Sequence, residues 1–304
     1  MGGAGRRWPA LLFFPMEVLR PEEMTVAVFG PGLLGGSLLL EARRLGFGRL
    51  RAWARREESV RELLSGGYAD EASVSVAEVA RGADLVVLCT PVEAMAGLAG
   101  EMVSVLAGTR VVVTDVGSVK GKVMEEVGPV LGVGGVPFVG SHPMAGSEKG
   151  GLGAARLGLY GGAACIVTPG GASEEAVRLV RGFWELMGCV VTEMEAGEHD
   201  RTVARISHLP HVAAVVATLA ALRGDPGAGR YAAGGLRDTT RVAGGDPAMW
   251  RGILLGNAEA VVPALRDLVA ETTRLMEMVE AGDGSGLESM LREAKALRRT
   301  RYPD

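Results

Sequence analysis

Thr25-Val26-Ala27-Val28-Phe29-Gly30-Pro31-Gly32-Leu33-Leu34-Gly35-Gly36-Ser37 is the stretch from which the fold is read. Five β-prone residues run into a G-x-G-x-x-G turn, and a helix-patterned segment continues to Gly46. Strand, glycine turn and helix in that order form the phosphate cradle of a dinucleotide-binding βαβ unit. Gly30 permits the tight turn, Gly32 lets the backbone approach a pyrophosphate, and Gly35 allows close packing of the helix. Leu33 and Leu34 lie in the same cradle, at a helix N-terminus whose N–H groups face the phosphates. The competing reading is a glycine-rich turn that holds no ligand.

Working outward, a second strand, Leu50-Arg51-Ala52-Trp53, ends about 20 residues after the glycines, where a carboxylate would bind the ribose of NAD. Ala54 stands there instead, followed by Arg55 and Arg56. A guanidinium pair suits a ribose 2′-phosphate, which favours NADP over NAD. Alternatively, the two arginines are a solvated helix start and NAD binds without the acid. Strands are expected at 84–89, 110–114, 136–139, 164–168 and 190–192, alternating with helices as in a parallel sheet. Thr90 and Pro91 follow one of these strands, and Asp115 follows another and opens Asp115-Val116-Gly117-Ser118-Val119-Lys120. Ligands bind along the carboxyl edge of such a sheet, which makes Thr90, Pro91 and Asp115 candidate cofactor residues. Ser118 either caps the next helix or bonds a substrate oxygen; the two roles are compatible.

The run Val136–Val139 leads into Gly140-Ser141-His142-Pro143-Met144-Ala145-Gly146-Ser147-Glu148-Lys149. One of four histidines is held there in a Gly/Pro frame, with a carboxylate and an ammonium six and seven residues on. That pattern reads as an acid/base group with polar support, against the plainer reading of a strand-ending turn with a surface histidine.

Beyond Glu195 strand signals stop and helical periodicity takes over. The expected domains are an N-terminal extension over 1–24, a dinucleotide-binding domain over 25–193 and a helical domain over 194–304. The first helix of the last part carries His199, Asp200, Arg201, Arg205, Ser207, His208 and His211. His208 and His211 share a helix face, and Pro210 between them implies a kink. This H-x-x-H pair has no third ligand of suitable spacing, and no metal is expected. The polar stretch 234–250 offers Arg237 and Arg241 as carboxylate forks, with Arg251 just beyond it, or as surface ion-pair partners. Two apolar helices, 258–268 and 273–279, have more hydrophobic face than a small domain can hide, so an isologous homodimer is expected.

The net charge of −4 and the absence of a basic face argue against nucleic acid and membrane surfaces and for a small-molecule partner. Cys89, Cys165 and Cys189 show no metal spacing and read as buried free thiols of a cytoplasmic protein. The longest apolar run, 209–222, is short of a membrane span and reads as a buried helix. Residues 6–15 faintly mimic a secretory signal but lack a clear cleavage site, so 1–24 is expected to be disordered or loosely docked.

Taken together, the glycine loop, 115–120, 141–148, Ser207-His208-Leu209-Pro210-His211 and the 238–250 block resemble the prephenate/arogenate dehydrogenase family of tyrosine biosynthesis, in order, over roughly residues 25–295. The resemblance implies α/β architecture, a Rossmann-type sheet with a C-terminal all-α dimerisation domain. It also implies NAD(P)-dependent oxidative decarboxylation of prephenate, or of arogenate. His142 then takes the proton of the ring hydroxyl, so activity falls at acid pH. Ser118 holds the same hydroxyl, and Arg241 binds a substrate carboxylate. His211 contacts the substrate side chain, with His208, Ser147 and Glu148 as its polar surroundings. Asp238 and Trp250 correspond to an ion pair and an aromatic gate. Two other classes remain open. A reductase or β-hydroxyacid dehydrogenase of the same plan would usually need a lysine or a Tyr/Asp in the helical domain, where Lys295 is the only lysine. The other is a dinucleotide-binding protein without activity.

Overall fold

Short runs of Val, Leu, Ile and Ala, each closed by glycine or a polar turn, build the strands of the first part of the chain. The structure, a computed structural model, describes residues 19–147 and 149–302. The chain divides into two compact units between Glu195 and Ala196.

The first unit runs β1 (Thr25–Phe29), α1 (Leu33–Arg44), β2 (Arg49–Trp53), α2 (Glu57–Ser65), β3 (Glu71–Ser73), α3 (Val76–Ala80), β4 (Leu85–Leu88), α4 (Val92–Leu106), β5 (Val112–Asp115), α5 (Gly121–Gly132), β6 (Phe138–Pro143), β7 (Ala164–Thr168), α6 (Glu174–Leu186) and β8 (Val190–Glu193). These eight strands form one sheet in the order β3-β2-β1-β4-β5-β6-β7-β8. The order reverses between β1 and β4, which is where the crevice of a doubly wound sheet opens. Residues of β4 and β5 are buried throughout, as strands covered on both faces must be.

Three strand expectations need correction. Glu71–Ser73 was not anticipated, because an edge strand of three residues carries no apolar alternation. Strand β6 extends past Val139 to Pro143, so His142 lies in a strand and not in a turn. Pairing is also not parallel throughout: Phe138 and Val139 pair with Val113 and Thr114 in parallel, whereas Gly140–Pro143 pair antiparallel with Thr168–Cys165. An antiparallel return needs no crossover helix, and among its described residues the segment 144–163 supplies none beyond the 3₁₀ turn Leu152–Ala154.

Of the expected N-terminal extension, residues 1–18 lie outside the described residues. The end of it is docked: Met24 is buried, and the carbonyls of Pro21 and Met24 accept from the N–H groups of Gly48 and Arg49. All three cysteines are free, Cys165 and Cys189 are buried, and burial pushes the Cys89 and Cys165 thiols up, which keeps them protonated.

The second unit contains α7 (Ala196–Val203), α8 (Leu209–Leu222), α9 (Gly234–Thr240), α10 (Pro247–Gly256), α11 (Ala258–Ala281) and α12 (Gly284–Arg301). Between α7 and α8 lies a π-turn, Ala204–His208. Pro210 lacks the N–H that an α-helix requires, and the wider turn just before it absorbs the mismatch. The resulting helix, Ala196–Leu222, is 27 residues long and apolar enough by composition to cross a membrane, yet it buries His199, Asp200, His208 and His211. Contrary to expectation, α8 is not a buried helix: Val216 and Leu219 are exposed, and only His211 and Ala214 are buried along it. The two expected apolar helices over 258–279 are one helix, α11, which carries Pro263 within its second turn.

Candidate active site

At the carboxyl edge of the first unit, the loops after the adjacent strands β1, β4 and β5 lie side by side. Gly30 has φ of +107°, and a Cβ there would stand 2.8 Å from the carbonyl oxygen of Cys89. A Cβ on Gly35 would stand 2.2 Å from the Gly30 carbonyl oxygen, whereas at Gly32 nothing lies within 4 Å. The turn is thus closed on the protein side and open at Gly32, above the first turn of α1 where Leu33 and Leu34 begin the helix. Thr90 Oγ1, in the neighbouring loop, is buried without a hydrogen-bond partner, and Pro91 precedes α4. An open cradle of backbone at a helix N-terminus, with an unsatisfied hydroxyl beside it, fits a dinucleotide. At the end of β2, Ala54 is buried while Arg55 and Arg56 are exposed. Arg56 is the N-cap residue of α2.

Asp115 ends β5 where the parallel ladder to β6 stops. Its Oδ1 accepts from the Ser141 N–H at 2.9 Å, taking the place of a main-chain acceptor. Its Oδ2 accepts from the Gly117 N–H at 2.8 Å and from the Lys120 ammonium. Asp115 and Lys120 are both fully buried. Asp115 was expected at the cofactor, but its carboxylate is engaged by protein donors and shapes the loop 115–120. Ser118, half-buried on that loop, does not cap the next helix, whose N-cap is Lys120. The Ser141 hydroxyl donates to the Asp115 carbonyl and lies 2.9 Å from both the Thr114 hydroxyl and Trp184 Nε1. Ser141 therefore faces α6, and strand alternation sends the next side chain, His142, to the opposite face. His142 is 6% exposed.

After Pro143 the chain crosses α1. The Arg156 N–H donates to Ser37 Oγ at 3.0 Å, the Gly158 N–H to Glu41 Oε2 at 3.0 Å, and the Tyr160 hydroxyl to the Leu34 carbonyl at 2.7 Å. A Cβ on Gly36 would meet Leu152 Cδ1 at 2.7 Å and Ala155 Cβ at 2.8 Å. Burial alone would raise the Glu41 carboxyl; the Gly158 N–H and Arg44 outweigh it and hold the group below its usual range. Ser147 is exposed, and its hydroxyl accepts from the Lys149 N–H. Glu148 lies outside the described residues.

The second unit gathers its own polar cluster. His199 Nδ1 lies 2.8 Å from Asp200 Oδ1, and both residues are buried. His211 stacks on Trp250 with centroids 3.4 Å apart, and His208 meets the same indole edge-on at 6.2 Å. The two histidines thus share the face that the i,i+3 spacing predicts. Burial pushes the His211 imidazole below its ordinary pKa, with a hydrogen bond to the Val242 backbone opposing. Arg241, itself exposed, opens the 3₁₀ turn Arg241–Gly244, whose Val242 and Ala243 are half-buried. Asp238 pairs with Arg237 at 3.1 Å on the surface. Among the described residues no group of three His, Cys, Asp or Glu has the arrangement to hold a metal.

Four residues were missed. Lys120 and Ser141 stand inside the motifs quoted for Ser118 and His142, but spacing does not reveal that their side chains turn inward. Trp184 carried only the signal of an apolar helix position. Asn257 is announced by Gly256-Asn257, a helix break between two apolar runs.

Comparison with known proteins adds to this geometry. The family described as prephenate dehydrogenase, nucleotide-binding domain, matches residues 42–193, and that described as prephenate dehydrogenase, dimerization domain, matches residues 195–293. Prephenate dehydrogenase of Bacillus subtilis (strain 168) is 33% identical over 279 residues, covering 90% of this chain and 75% of that protein. Cyclohexadienyl dehydrogenase of Zymomonas mobilis is 32% identical over 283 residues, covering 90% and 94%. The crystal structure of prephenate dehydrogenase from A. aeolicus in complex with hydroxyphenyl propionate and NAD+ superposes with a TM-score of 0.85 at 34% identity, covering 91% of this chain and 98% of that one.

Proposed function

Since the chain belongs to the prephenate dehydrogenase family, we propose that it oxidatively decarboxylates prephenate to 4-hydroxyphenylpyruvate, a step of tyrosine biosynthesis in the cytoplasm. The observation that carries this reading is the alignment of the Gly30–Gly35 cradle, the Ser118 loop and His142 along one edge of a single sheet. When bound, a nicotinamide dinucleotide supplies the hydride acceptor.

The residues of this chain supply the rest. Ser118 and His142 hold the ring hydroxyl, and His142 accepts its proton as hydride leaves the carbon that bears it. The bond from the ring to its carboxylate breaks, carbon dioxide departs, and the electron pair completes the aromatic ring. The proton then returns to the phenolate oxygen, which leaves His142 neutral for the next turnover. Arg241 binds a substrate carboxylate and orients the ring for hydride transfer. His211 contacts the side chain of the substrate, and the resemblance gives His208, Ser147 and Glu148 as the polar groups of that contact. Gly30, Gly32, Leu33, Leu34, Gly35, Thr90 and Pro91 hold the dinucleotide, and Asp115 acts there through the loop it shapes.

For the cofactor, buried Ala54 with exposed Arg55 and Arg56 supports NADP over NAD. A homodimer through the helical unit is supported by Leu255, Val269 and Val279, which are 71%, 64% and 58% exposed. Initial rates of nicotinamide reduction with prephenate and with arogenate, each with NAD⁺ and NADP⁺, test the reading. The expected result is the highest kcat/KM for prephenate with NADP⁺. A preference for arogenate would move the substrate to its amino counterpart. Silence in all four, from folded protein that binds dinucleotide, would return the chain to the reductase or non-enzyme classes.

A further inference from the structure

Asn257, between α10 and α11, is 4% exposed and has no part in the chemistry described so far. Its Nδ2 lies 2.8 Å from the main-chain oxygen of Asp200 and 3.2 Å from Nδ1 of His208. A carbonyl oxygen only accepts, so the atom facing it is the amide nitrogen, and the orientation of the side chain is decided. That nitrogen carries a second hydrogen, which points at His208 Nδ1. An imidazole protonated at Nδ1, as the other tautomer or as the cation, would set donor against donor. Around this contact, Trp250 meets His208 edge-on, and Asp200 Oδ1 lies against His199 Nδ1.

We propose that Asn257 is a positioning residue that locks His208 as the neutral tautomer protonated at Nε2. His208 then recognises the substrate as a hydrogen-bond donor to an anionic or carbonyl oxygen, and does not act as a base. The same amide ties the junction of α10 and α11 to the end of α7, so the lock is part of the helical framework. The substrate half of this proposal rests on the reading of His208 as a substrate contact; the tautomer half does not.

Long-range ¹H–¹⁵N spectra of ¹⁵N-histidine protein report the tautomer directly. With four histidines in the chain, His208→Gln assigns the signal. Wild type is expected to show His208 uniformly protonated at Nε2. In Asn257→Ala the signal becomes a tautomer mixture. Prephenate KM rises about tenfold, the loss of one hydrogen bond to a charged group, while kcat and dinucleotide Kd stay within about twofold. Protonation of wild-type His208 at Nδ1, or at both nitrogens, overturns the proposal even if Asn257→Ala fails to fold. A variant that keeps the uniform tautomer overturns the role of Asn257. Mixed tautomers with unchanged KM overturn the donor role toward substrate. Wild-type protein inactive on prephenate refutes the functional reading separately and leaves the tautomer test intact.

Discussion

The carboxylate of Asp115 continues the β5–β6 ladder where main-chain pairing ends, and it balances a lysine buried to the same depth. Removing one member of a buried pair leaves the other charge uncompensated, at a cost of roughly 3–5 kcal/mol. Asp115→Ala is therefore expected to lose about that much stability in a denaturant titration. His142→Asn should behave differently: turnover is abolished, while dinucleotide affinity measured by fluorescence titration stays near that of wild type. Loss of dinucleotide binding in that variant would make His142 structural. His211 predicts a pH effect of definite sign. Its folded pKa lies below the unfolded value of about 6.5, so the unfolded state binds more protons as the solution is acidified. The contribution of His211 to stability is complete above about pH 6.5 and is lost as pH falls through the folded pKa. In His211→Gln the fall of Tm between neutral and mildly acid pH is expected to be shallower; an unchanged slope would remove His211 as its source. At this scale the sequence placed Thr90, Pro91 and Asp115 at strand ends, although it read His142 as lying in a turn. It did not show which way Asp115, Lys120 and Ser141 turn, because that depends on where the ladder between two strands distant in sequence gives out.

Among elements, β1, α1 and the glycine turn were readable because each obeys a local rule of strand propensity, glycine turn and helix start. Strand β6 was only half readable. Its apolar run stops at Val139, and the four residues beyond are strand because β7 returns antiparallel to pair with them. That return is a tertiary event with no local signature. The merger of two predicted helices into α11 has a local cause: Val269-Ala270-Glu271-Thr272 is exposed and breaks the apolar periodicity, but it holds no glycine or proline to end the helix. The segment that crosses α1 supplies the prediction at this scale. Gly36 has no room for a side chain under Leu152 and Ala155. Gly36→Val is expected to lift the segment 150–160, seen as faster proteolysis there, and to raise prephenate KM. If cleavage and KM both match wild type, the contact with Gly36 neither seats the segment nor bears on the substrate.

For the molecule as a whole, the change from alternating strands and helices to helices alone was visible in composition, and the chain divides between Glu195 and Ala196. Less readable was which apolar residues a single copy would leave in solvent. Periodicity gives the width of an apolar stripe and not what covers it, so 209–222 read as buried although Val216 is 55% exposed. A charge on α11 tests the proposed dimer: Val269→Glu combined with Val279→Glu should convert a dimer to a folded monomer by light scattering. Dimers that persist would place the interface on another face.

The crossing over α1 bears on how this protein can be altered or recombined. The stretch from Met144 to Ala163 is a single chain segment, yet the groups that seat it, Ser37, Glu41 and the Leu34 carbonyl, belong to the helix that follows the glycine turn of the cradle. A graft of that stretch from a relative would arrive without its seat. The unit of exchange is the loop together with the solvent-hidden face of α1, and engineering that respects only the linear boundaries of the loop would separate two parts that work as one.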